Sequence, residues 1–155
     1  MMGMDPKATI KSYVYQAPIL YIAIFYLLLA AWASVCIIYL GSSLNKWGLA
    51  NFFQLFMFVF VLFYTCYFSA AISYKIEVRE KGDIRLTSFR RIINTHAEKI
   101  PLVEGPHLPV GFIRFRLERE KAYLFCLTNN EVFKKILSVI RNANPDIKFK
   151  GLSVP

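Results

Sequence analysis

Charge is what the first half of this chain lacks. Ala17–Leu40 and Leu49–Ile72 each run for 24 residues without one Asp, Glu, Lys, Arg or His. Pumps, ion-coupled transporters and proton relays need ionisable groups at depth, because they must move or compensate charge. Two helices are also too few to enclose a substrate path, so transport by this chain alone is not expected. Cysteine is scarce as well. Cys36, Cys66 and Cys126 are odd in number and form no CxxC pair, which argues against a disulfide framework or a zinc ribbon. They read as small buried hydrophobes in a reducing compartment. His96 and His107, the two histidines, lie 11 residues apart without ligand spacing and read as surface residues. There is no GxGxxG, no GxxxxGK[ST] and no Ser/His/Asp nucleophile pattern. Glu77, Glu80 and Asp83 are interleaved with Lys75, Arg79 and Lys81, a solvated ion-paired face rather than an acid–base pair. Neither catalysis, nor a metal, nor a cofactor is therefore expected.

The two apolar runs are what the chain has instead. A helix rises about 1.5 Å per residue, so about 20 apolar residues cross a hydrocarbon core about 30 Å thick. Both runs exceed that, and the expectation is an integral membrane protein with spans over 17–40 and 49–72. Ala31-Trp32-Ala33 has the small-x-small form of a signal cleavage site. A signal h-region, however, holds only about 7–15 residues, and here the apolar run continues to Leu40. Lys7 and Lys11 precede the first run; Lys75, Arg79 and Lys81 follow the second; the loop between holds Lys46 alone. Positive charge marks the cytoplasmic side, so both termini are expected there. Trp47 and Tyr39 then suit one interface, and Tyr13, Tyr15 and Tyr74 the other.

Within the second run Phe53, Phe56, Phe60, Phe63 and Tyr67 recur at spacings of three and four, which places them on one helical stripe. Such a stripe faces lipid or forms a seam for another membrane protein. Ala23, Ala30, Ala31 and Ser34 offer small positions in the first run, suited to packing the two helices on each other.

Composition breaks at Ser73/Tyr74. From Tyr74 onward the chain carries 16 Lys/Arg and 9 Asp/Glu, against three and one before it. Residues 1–16 read as a cytoplasmic tail, and 73–155 as a cytoplasmic β-rich domain of about 80 residues, near the lower limit for a self-sufficient core. Ile76 and Val78 alternate with Lys75, Glu77 and Arg79; Lys81-Gly82-Asp83 is a turn; Ile84 and Leu86 continue the alternation. Strands are also expected over 90–95, 99–103, 112–119 and 122–128, with Pro101 confining the second of these to an edge or a strand start. Asn129 and Asn130 are good N-caps for a helix over 131–143, whose apolar face is Val132, Phe133, Ile136, Leu137 and Ile140. Asn144-Pro145 ends it.

Antiparallel strands closed by one amphipathic helix have the order of a PH-like barrel. The chain resembles small bacterial membrane proteins in which a two-helix hairpin precedes a PH-like domain. The resemblance spans the whole architecture and lies in element order. Tyr74-Lys-Ile-Glu-Val78, Gly82-Asp-Ile-Arg-Leu86 and Lys121-Ala-Tyr-Leu-Phe125 before the helix carry it. It implies a binding or assembly module and no particular chemistry. The Pro-rich loop 105–111 departs from the pattern and leaves a two-layer α/β sandwich as the alternative.

Lys75, Arg79, Lys81, Arg85, Arg90 and Arg91 follow the second run closely, and Arg114, Arg116 and Arg119 make a second strip on one strand face. Juxtamembrane cations attract anionic headgroups; they equally serve topology and solubility, or dock an acidic protein surface. Nucleic-acid binding suits the net charge of +9 but no RNP, KH or helix-turn-helix pattern accompanies it. The expected function is a non-catalytic accessory or assembly subunit, its hairpin packed on larger integral membrane proteins, and a homo-oligomer is compatible with it. The alternatives are an anionic-lipid headgroup-binding module and a non-catalytic subunit of a transporter or membrane enzyme complex.

Overall fold

The computed structural model describes residues 11–43 and 48–152. Lys7, Lys46 and Trp47, used above for orientation, lie outside the described residues. The chain divides into two compact units: an apolar hairpin within residues 18–72, and a sheet unit that joins residues 11–17 to residues 73–152.

In the hairpin, α1 (Ile19–Ser43) begins directly after Pro18. A proline lacks only an N–H that the first turn leaves unpaired anyway. Its carbonyl accepts from the amides of Tyr21 and Ile22, at 3.1 and 3.4 Å. The second helix, α2 (Leu49–Ser69), ends three residues before the expected boundary, in a turn closed by Ala71 N–H to Phe68 O and Ile72 N–H to Ser69 O. Both helices are long and apolar enough to cross a membrane. The hydroxyls of Ser34, Thr65 and Ser69 are satisfied within their own helices. Ser34 donates to Ala30 O, Thr65 to Val61 O and Ser69 to Thr65 O, at 2.7–2.8 Å. This back-bonding is how a hydroxyl survives in an apolar medium.

The sheet unit opens with β1 (Ser12–Gln16), a strand where sequence reading gave a tail over 1–16. It pairs antiparallel with β2 (Ser73–Arg79), from Ser12↔Arg79 to Gln16↔Lys75. A turn then leads to β3 (Asp83–Ser88) and another to β4 (Ile92–His96). Gly82 sits in the first turn at φ +86°, a left-handed conformation open to glycine. One 3-10 turn, Ala97–Lys99, precedes β5 (Leu102–Glu104), which starts just past Pro101. The chain continues through β6 (Val110–Arg116), β7 (Lys121–Leu127), α3 (Glu131–Ala143) and β8 (Lys148–Lys150).

The strand order is β4-β3-β2-β7-β6-β5-β8, with β1 on β2. Two antiparallel meanders, β2–β4 and β5–β7, meet through a parallel contact at Ser73↔Leu124. β8 adds parallel to β5. The sheet is therefore mixed rather than wholly antiparallel. A helix crossover lets a strand return in the parallel sense, and α3 supplies it before β8.

One core fills the sheet unit. Ile76, Val78, Ile84, Leu86, Ile113, Phe115 and Leu124 are buried from the strands, and Phe133, Ile136, Leu137 and Ile140 from α3. Alternation and helical spacing mark most of these as inward positions; Val132, also read as part of the apolar face of α3, is instead 43% exposed. The Asn130 side chain accepts from the amides of Val132 and Phe133 at 2.9 and 3.2 Å, capping α3. Tyr15 joins the core at 2% exposure, its ring centroid 5.2 Å from that of Phe133. Its expected role as an interfacial aromatic is corrected accordingly. Ala23, Ala30, Ala31 and Ser34 are exposed and do not pack the two long helices together.

Candidate interaction surfaces

α2 has two faces. Asn51, Leu55, Phe58, Leu62, Thr65 and Ser69 are half-buried or buried, at the spacing of one stripe. That stripe meets α1. Tyr26 OH donates to Ser69 O at 2.9 Å near one end of the pair. Near the other, Gln54 Nε2 donates to Tyr39 OH at 3.4 Å and the Tyr39 and Phe58 rings lie 5.4 Å apart. Phe53, Phe56, Phe60, Phe63 and Tyr67 fall about 160° round the helix, at 100° per residue. They are 45–65% exposed within the chain. Successive rings stack along this face: Phe56 on Phe60 at 6.3 Å, and Phe63 on Tyr67 at 6.0 Å. The stripe is thus one surface, turned away from α1.

The cations inferred from sequence separate into three places. The first is the outer face of β1–β4, where register aligns Val14, Glu77, Arg85 and Asn94 across four strands. Lys75 Nζ lies 2.6 Å from Glu77 Oε1. This bond, together with the fields of Arg85 and Arg79, holds the Glu77 carboxyl below its ordinary range against some desolvation. Ser12, Arg79, Asp83 and Thr95 complete the walls of a shallow groove of about 370 Å³. Two cations, Arg79 and Arg85, share it with two carboxylates, Glu77 and Asp83, so it is close to neutral.

Arg90 and Arg91 occupy a second place, the β3–β4 turn. Arg91 Nη1 lies 2.5 Å from Glu120 Oε2, which ties that turn to the β6–β7 turn. Lys81 is in the β2–β3 turn, at the other end of those strands.

The third is the outer face of β7-β6-β5-β8. Register lines up Lys121, Arg116, Leu102 and Lys148, then Tyr123, Arg114, Glu104 and Lys150. Arg114 pairs with Glu104. The Phe112 and Phe125 rings continue the face, 4.6 Å apart. Five cations meet one carboxylate there. Sequence reading found Arg114 and Arg116 but not Lys121, Lys148 and Lys150. Lys121 could be placed opposite Arg116 from the tight turn between β6 and β7. Lys148 and Lys150 carry no local signal, since a helix intervenes before they join β5.

His96 Nε2 donates to Lys81 O at 2.8 Å while its Nδ1 faces the Glu98 amide at 3.5 Å, so the ring fastens the β2–β3 turn to the start of the 3-10 turn. Burial pushes the Cys126 thiol up to about 12, which keeps it protonated and unreactive near neutral pH. Among the described residues, no three His, Cys, Asp or Glu side chains converge as metal ligands. No protein-family model, curated protein or solved structure matches the chain.

Proposed function

We propose that this chain is a non-catalytic, membrane-anchored accessory subunit. Its two apolar helices cross the membrane as a hairpin and pack on a larger integral membrane protein through the aromatic face of α2. Its basic sheet unit, PH-like in having two meanders and a closing amphipathic helix, makes a second contact. One observation carries the reading: Phe53, Phe56, Phe60, Phe63 and Tyr67 form a continuous ring surface on the side of α2 opposite α1. Rings spent on holding the hairpin together would face α1 instead. Topology supports the arrangement. β1 precedes the hairpin and pairs with β2 after it, so both ends of the hairpin must emerge on one side of a bilayer. The excess of Lys and Arg in the sheet unit supports the cytoplasm as that side, and the membrane proposed is a bacterial inner membrane.

The test is extraction in mild detergent followed by affinity isolation of the tagged chain. A membrane protein should co-purify in fixed ratio, and Phe56→Leu, Phe60→Leu and Phe63→Leu together should release it while leaving insertion and the fold of the sheet unit intact. Retention of that partner by the triple variant would mean the rings face lipid and would overturn the reading.

A further inference from the structure

We propose that one end of the sheet is a bilayer-docking rim, with Phe89 entering the headgroup–acyl boundary and the surrounding cations holding anionic lipid phosphates. The proposal rests on the hairpin crossing a membrane and is independent of any protein partner.

The argument starts from chain length. Ser73 opens β2 four residues after Ser69 closes α2, and four residues reach at most about 14 Å. The start of β2 is therefore held close to the end of the second helix, and so to the membrane surface that helix reaches. Ser73 pairs with Ser88, which brings the β3–β4 turn to the same end. That turn is built rigidly: Arg91 O accepts from both the Ser88 amide and the Ser88 hydroxyl, and Ser88 Oγ accepts from the Arg91 amide. At its tip Phe89 is 63% exposed, backed by the Tyr74 ring at 4.8 Å. An exposed phenylalanine on a braced turn, with half-exposed Ile92 beside it, suits an interfacial wedge.

Ser73 also pairs with Leu124 of the parallel strand β7, so the start of β7 and the β6–β7 turn reach this end too. The Arg91–Glu120 ion pair joins the two turns. Arg90, Arg91, Arg116, Arg119 and Lys121 gather there against Glu118 and Glu120. The far turn of β2–β3 is balanced, with Arg79 and Lys81 against Glu80 and Asp83. A strand advances about 3.3 Å per residue, so Arg79 lies about 20 Å along β2 from Ser73. The headgroup-binding set read from sequence is thereby narrowed. Arg79, Lys81 and Arg85 leave it, and Lys121 joins Arg90, Arg91, Arg116 and Arg119.

The full chain, carrying Phe89→Trp with Trp32→Phe and Trp47→Phe, would be reconstituted into vesicles of phosphatidylcholine and phosphatidylglycerol. The expected result is a blue-shifted indole emission, quenched by lipids brominated near the glycerol end and screened from aqueous iodide. Adding Arg90→Glu and Lys121→Glu should restore iodide quenching in these vesicles. An indole quenched by iodide and untouched by brominated lipid overturns the proposal. So does one screened from both, which would mean that a second copy of the chain covers the turn. Persistence of lipid quenching in the double Glu variant overturns the cationic part. A parallel chain with Trp47→Phe alone reports on Trp32 within α1. If lipid brominated deep in its acyl chains quenches Trp32 but lipid brominated near the glycerol end does not quench position 89, only the rim fails; if neither is quenched, the spanning hairpin fails.

Discussion

Removing one oxygen from Tyr15 tests whether the segment before the hairpin is clasped into the sheet. The Tyr15 hydroxyl accepts from the Leu127 amide at 2.9 Å, across 112 residues of sequence. Its ring packs on Phe133. Tyr15→Phe keeps the ring and leaves the Leu127 N–H without its acceptor. A buried donor left unpaired costs about 1–3 kcal/mol. Leu127 is half-buried rather than sealed, so partial access to water puts the expected loss in the lower half of that range. Local opening near Leu127 should then rise about 5- to 30-fold. Tyr15→Ala removes the ring as well. Truncating a core aromatic costs about 3–5 kcal/mol, a large share of what holds a five-residue strand with one hydrogen-bonded neighbour.

Amide hydrogen exchange on the full chain in lipid nanodiscs reads both effects. Tyr15→Phe should speed exchange at Leu127 and leave the interior of β6 and the amides of α3 unchanged. Tyr15→Ala should unprotect the β1 amides that face β2 while β2–β4 stay folded. Equal protection at Leu127 in wild type and Tyr15→Phe would refute the clasp. So would β1 amides as slow in Tyr15→Ala as in wild type.

Two other substitutions probe the sheet unit. Gly82→Ala forces a side chain into a left-handed turn and sets its Cβ about 3.1 Å from His96 Cε1 and 3.2 Å from Ala143 Cβ; backbone strain of this kind costs about 1–3 kcal/mol, and an unchanged urea midpoint would contradict it. In a chain with Cys36→Ala and Cys66→Ala, Cys126 should resist maleimide at pH 8 until the sheet unit is denatured, and rapid labelling of the native state would show that the site opens. Burial raises the acid-to-base transition of both Cys126 and Tyr15. Their contribution to stability is therefore complete below the unfolded values, about 8.5 for a thiol and 10 for a phenol, and is lost as pH climbs through the raised ones. Cys126→Ala should flatten the first part of that alkaline fall in a pH series of urea midpoints.

Local signals made much of the sheet unit legible. α3 runs over the residues that its spacing and its Asn130 cap mark out, and Ile76, Val78, Ile84, Leu86, Ile113 and Phe115 point inward as their alternation requires. β1 has a signal of the same kind: Tyr13 and Tyr15 alternate with Ser12, Val14 and Gln16. What it lacks is a neighbour in sequence. Its partner lies about 60 residues on, beyond both apolar helices, and short polar stretches ahead of an apolar run are usually tails. The strand forms because β7 diverges from β2 after Ser73↔Leu124 and leaves an edge to be filled.

The candidate surfaces divide along the same line. The aromatic periodicity of α2 was visible, but a second stripe of similar spacing, from Asn51 to Ser69, is nearly as apolar, and only the packing of α1 says which one is spent. The cations near residue 75 were close to the second helix in sequence. An antiparallel meander breaks that equivalence between sequence distance and distance from the bilayer. It carries Arg79 and Lys81 away along β2 and brings Arg90 and Arg91 back along β3. Neutral and cationic ends of one sheet follow from that return. Under the bilayer-docking proposal, the residues at the second turn, not the first, belong to the surface where the chain emerged.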